Sequence, residues 1–119
     1  MKFSRIAMVL IVRTAATAAL AQSATSFDGT YGGVSATATY GCTPPTPVPR
    51  PLTVKNGAVQ FPASPNGDLF FQGIVTSQGA LLLRSTTGTI LSAKVDASGK
   101  ITGRFGVGNC DIALIWQKQ

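Results

Sequence analysis

Four aspartates, two cysteines and a scatter of serines and lysines are the side chains best suited to chemistry in this 119-residue chain, which has no histidine. Without histidine there is no Ser-His-Asp or Cys-His catalysis and no ordinary zinc site. All four carboxylate side chains are aspartates: Asp28, Asp68, Asp96 and Asp111. Asp28-Gly29, Asn66-Gly67-Asp68 and Asp96-Ala97-Ser98-Gly99 are turn sequences, in which an aspartate bonds its own backbone. A carboxylate pair for glycoside hydrolysis would have to be assembled from such turns. A calcium loop at Asp96 lacks the further acidic ligands that an oxygen site needs. Serine–lysine catalysis has no distinguishable pair. The expectation is no enzyme, no metal and no cofactor.

Cys42 and Cys110 are read through the compartment in which the chain works. Met1-Lys2-Phe3-Ser4-Arg5 is a basic head, Ile6 to Val12 is apolar, and Ala19-Leu20-Ala21 precedes Gln22. That order is the pattern of a cleaved secretory signal over 1–21, with Arg13 its one irregularity. The apolar stretch is shorter than the roughly 20 residues of a membrane anchor, and no later stretch is long enough, so no membrane span is expected. No cysteine follows the small residues, so neither is a lipid anchor.

Removal of 21 of the 119 residues leaves 98, enough for one small domain over 22–119. The signal also carries away Lys2, Arg5 and Arg13, so ten basic residues become seven against four aspartates, a net +3. These charges form no run, and a nucleic-acid partner is not expected. In an exported chain two cysteines are most simply a disulfide. There is no C-x-x-C, and no histidine to complete a metal or redox site.

The elements that must position these residues are strands. Gln22 to Ser26 is a small polar leader, and Phe27-Asp28-Gly29-Thr30-Tyr31 opens the fold. Val34 to Tyr40 alternates, placing Val34, Ala36, Ala38, Tyr40 and Cys42 on one face. Residues 43–51 carry five prolines and form an extended surface crossover that cannot enter a sheet interior. Three hairpins follow. Leu52-Thr53-Val54 turns at Asn56-Gly57 into Ala58 to Phe61. Phe70 to Thr76 turns at Ser77-Gln78-Gly79 into Ala80 to Arg84. Ser92 to Val95 turns at Asp96 to Gly99 into Lys100 to Phe105. Asn109 to Trp116 is the last strand, with Cys110, Ile112, Leu114 and Trp116 on one face.

Eight strands give an all-β chain whose first and last strands run antiparallel in an up-and-down order. The end of the first then lies level with the start of the last, where Cys42 and Cys110 stand. A bridge there would lock a small closed barrel, which removes both sheet edges; the alternative is an open β-sandwich. The strands are shorter than the about 9–11 residues of a membrane-spanning barrel. Most aromatic residues fall on inward parity. Phe70 and Phe71 must point to opposite faces, and Leu82 inside Leu81-Leu82-Leu83 raises the same question. Phe70, Phe71 and Leu82 are therefore the candidate partner contacts.

Phe27-Asp28-Gly29-Thr30-Tyr31, Cys42 before the prolines, Leu52-Thr53-Val54 with Asn56-Gly57, and Cys110 with Trp116-Gln117-Lys118 together resemble a group of short exported proteobacterial proteins of unknown function. A looser architectural resemblance is to the periplasmic barrel inhibitors of bacterial metalloproteases, although Tyr31 stands where that family carries a first-strand tryptophan. Two functions follow as expectations. One is a non-enzymatic exported binding or envelope-associated module acting on an unknown protein or envelope component. The other is a periplasmic protease inhibitor that inserts the leader 22–26.

Overall fold

The computed structural model describes residues 26–44 and 46–119. The expected signal over 1–21 and residues 22–25 of the leader lie outside them. Alternation of apolar and polar side chains produces eight strands: β1 Gly29–Ala38, β2 Leu52–Lys55, β3 Ala58–Pro62, β4 Phe70–Val75, β5 Ala80–Ser85, β6 Ile90–Val95, β7 Lys100–Val107 and β8 Cys110–Lys118. Each pairs antiparallel with the next, and β1 pairs with β8, so the sheet closes into a barrel rather than opening as a sandwich.

Inward parity fills the interior. Leu52, Val59, Phe71, Leu81, Leu83, Leu91, Ile101 and Trp116 are all almost completely buried. Phe61 links two of the rings, meeting Trp116 edge-on at 5.0 Å and Phe71 at 5.9 Å between centroids. Phe105 continues the row 5.3 Å from Phe71. Gly103 makes room for this row, since a Cβ there would sit 3.3 Å from the Trp116 indole. A barrel of this strand number is just wide enough to be filled by its own side chains.

Local chemistry sets the hairpins. Asn56 and Gly57 both take positive φ, 52° and 81°, the demand of a type I′ turn. Three other connections share one device: the hydroxyl or carboxylate of Thr76, Ser85 or Asp96 accepts from the amide four residues on. In each, a glycine amide three residues on donates to the carbonyl of that first residue. Ser85, the one buried polar residue among the described residues, is satisfied in this way by the Thr89 amide and the Thr87 hydroxyl.

β1 departs from simple alternation. A bulge between Gly33 and Ser35 leaves Val34 without a partner on β8, and its side chain is 52% exposed instead of facing the core. The strand ends at Ala38, and Tyr40 stands fully exposed in the turn from Thr39 to Cys42. The expected inward row therefore holds only for Ala36 and Ala38. Tyr31 and the backbone at Gly33 supply the inward positions before the bulge.

The proline-rich crossover is built into the wall. β2 pairs with β1 only from Gly29 to Tyr31, so the rest of that edge of β1 needs another partner. The Ala36 amide donates to the Pro47 carbonyl at 2.9 Å, and the Trp116 indole N–H donates to the Arg50 carbonyl at 2.9 Å. Proline cannot donate, but its carbonyl accepts as well as any other. Gly33 lets the strap lie close, because a Cβ there would fall 1.9 Å from the Pro49 carbonyl oxygen.

Opposite the strap, Phe27-Asp28-Gly29-Thr30-Tyr31 closes the other end. Phe27 packs against the core, and the Tyr31 hydroxyl donates to the Phe27 carbonyl at 2.6 Å. The Asp28 carboxylate accepts from the amides of Asn56 and Gly57, at 2.8 and 3.2 Å, and so pins the β2–β3 turn. The Cys42–Cys110 disulfide lies at the strap end, with 6.0 Å between Cα atoms.

Two outcomes follow. Replacing both cysteines by serine should lower the unfolding free energy by about 2–5 kcal/mol in denaturant titrations, since the bridge closes a 68-residue separation. Burial, then the nearby Asp28 carboxylate, push the Tyr31 phenol above its ordinary pKa. Its contribution is thus fully present below about pH 10 and lost as pH rises through the folded value. Y31F should cost about 1 kcal/mol at neutral pH and should flatten the alkaline fall of the unfolding midpoint.

Candidate functional site

The carboxylates are each occupied with structure. Asp28 holds the β2–β3 turn. Hydrogen bonds from the Ser98 hydroxyl and the Lys100 amide hold the Asp96 carboxyl below the usual carboxylate range. Asp68 accepts from the Asn66 side-chain amide at 2.7 Å, and Asp111 pairs with Arg104 on the surface. Among the described residues no three His, Cys, Asp or Glu side chains gather to hold a metal. Neither cysteine is free, both being in the bridge.

Surfaces remain. At the disulfide end a cavity of about 200 Å³ is lined by Thr43, Leu69, Phe105, Val107, Cys110 and Ile112. It is apolar but smaller than the about 300–1,000 Å³ typical of small-molecule pockets. A broader hollow of about 700 Å³ lies outside β1–β3 and includes Thr30, Thr53, Lys55, Asn56 and Gln60. These are exposed polar residues, and no buried polar side chain in the described residues lacks a partner to offer a ligand.

The outer wall of β4–β6 differs from both. Ile74, Leu82 and Ile90 point outward and are 59%, 56% and 46% exposed. Ile74 stands directly opposite Leu82, and Arg84 directly opposite Ile90. Leu82 and Ile90 are thereby diagonal neighbours across the β5–β6 ladder, within reach of aliphatic side chains. Ala80 opposite Lys94 extends the surface toward the turns. A shallow depression of about 260 Å³ runs between Gln72, Leu82, Arg84 and Ile90.

The candidate contacts separate accordingly. Phe71 is 0% exposed and belongs to the core, which removes it as a contact. Phe70 is half-buried on the outer parity opposite Pro62, toward the disulfide end. Leu82 is the centre of the aliphatic patch. Ile74 and Ile90 were not among the expected contacts, although strict alternation from Phe71 and from Leu91 places both outside.

The chain matches no family model, no curated protein and no solved structure.

Truncation should separate wall from core. F71A should cost about 3–5 kcal/mol, F70A markedly less, and L82T no more than about 0.5 kcal/mol, each read from denaturant unfolding. Equal large losses for Phe70 and Phe71 would mean that both rings are structural.

Proposed function

We propose that this chain is a non-enzymatic, extracytoplasmic binding module that engages an envelope component through its outer wall. The observation that carries the reading is the exposed cluster of Ile74, Leu82 and Ile90 on three adjacent, fully paired strands. The interior is filled by side chains and the carboxylates serve turns and an ion pair, so a contact surface is the resource left over. Such aliphatic clusters on a rigid scaffold mark interaction sites.

Export rests on the sequence of residues 1–21, and the disulfide supports the same compartment because such bridges persist where conditions are oxidising. The resemblance to short exported proteobacterial proteins points the same way. The inhibitor reading depends on a leader whose residues 22–25 lie outside the described chain, and no observed contact favours it.

The test is capture from envelope and culture-supernatant fractions by immobilised protein, with mass spectrometry of the exported form. The mature chain should begin at Gln22. Envelope material should be retained by the natural protein and lost in the I74T/L82T double variant at an unchanged unfolding midpoint. Capture that survives this variant but disappears when Gln22 to Ser26 are deleted would replace the reading with the inhibitor.

A further inference from the structure

The outer wall carries charge of one sign. The outward positions of β3 to β7 hold Arg84, Lys94, Lys100 and Arg104 and no carboxylate at all. Arg104 is paired with Asp111 of β8, and Lys100 lies beside Asp96. Arg84 and Lys94 have no ion-pair partner among the described residues. They flank the aliphatic cluster, with Arg84 opposite Ile90 and Lys94 one row beyond Leu82.

We propose that the β4–β6 wall docks on an anionic phospholipid surface, lying on it without crossing it. This rests on the outer wall being the binding face. A plane tangent to the barrel at β5 meets Ile74, Leu82 and Ile90 together with Arg84 and Lys94. Aliphatic groups among cations are the arrangement of interfacial binding, the apolar tips reaching the acyl boundary while the cations meet headgroup phosphates. The shape also decides between partners. The wall is convex and its depression is shallow, whereas protein hot spots favour anchors seated in well-packed, desolvated pockets. A flat, deformable anionic surface fits it better than an acidic peptide does. The four aspartates lie elsewhere: Asp28, Asp68 and Asp96 at the barrel ends, and Asp111 on β8. The molecule can therefore turn one face to negative charge.

The test is sedimentation of the purified mature chain with vesicles of phosphatidylcholine alone or mixed with phosphatidylglycerol, at low and high salt. Binding is expected only to the mixed vesicles and should fall as salt rises. R84Q and K94Q should each weaken it about five-fold, the worth of one cation near an anionic leaflet. I74T/L82T should weaken it further, while K55Q on β2 should leave it unchanged. Unfolding midpoints establish that each variant is folded. Equal binding to phosphatidylcholine, no binding to anionic vesicles at low salt, or indifference to the wall variants would overturn the proposal. So would capture of soluble polyglutamate as strong as that of vesicles and unaffected by I74T/L82T, because that pattern requires charge alone. If vesicles fail while wall-dependent capture of an envelope protein persists, the lipid inference falls and the binding-module reading stands.

Discussion

Everything in this fold depends on the ladder between β1 and β8. Seven residue pairs join the beginning of the described chain to its end, and without them both strands would be bare edges that recruit other chains. The ladder is secured at both extremities. At one, the disulfide and the Thr39 hydroxyl, which accepts from the Asp111 amide at 3.2 Å, tie the strands together. At the other, the Gln119 amide donates to the Thr30 carbonyl at 3.0 Å. The bulge at Val34 and the approach of the strap at Gly33 are local adjustments that let β1 serve β8 on one side and the prolines on the other.

That closure has a cost for chemistry. An eight-stranded barrel whose inward rows are aromatic and aliphatic leaves, among the described residues, no dry polar cavity in which a carboxylate could be tuned. Asp28 and Asp96 consequently act where backbone amides cluster, in turns, where a short acceptor stabilises a reversal, while Asp111 is spent on a surface ion pair with Arg104. What the barrel offers instead is a rigid outer surface whose composition is free to vary, because outward side chains contribute little to stability. On β4–β6 that freedom has been used for aliphatics and cations.

Much of this was legible before the structure, and the reasons are specific. Asn56-Gly57 and the glycine-ended turns at Gly79 and Gly99 punctuate the chain, so β2 to β8 fall within a few residues of their expected limits. Parity in a closed meander placed Cys42 beside Cys110. The inward expectation for Val34 fails, because Gly32-Gly33 carries no side-chain alternation that could reveal an inserted residue. Nor could composition show that the Pro47 carbonyl takes the Ala36 amide; that follows from β2 being only four residues long and leaving the far part of that β1 edge without a strand. Of the surface, Leu82 was visible as the odd member of an apolar run. Ile74 and Ile90 follow from the same alternation only once Phe71 and Leu91 are known to face inward, and composition alone does not say which of Phe70 and Phe71 does.

The same ladder orders events in time. Residues 31–38 must find residues 112–118, the most distant pairing the described chain makes. Such contacts repay their loop-closure entropy late and slow the approach to the native state. As the chain emerges end first from a ribosome or a translocation pore, its hairpins can form one after another, but they form an open sheet. Only when β8 arrives can the edges vanish together. Until that moment the strand that will finish the wall is absent, and the growing sheet must be kept from finding a neighbour's strand in its place.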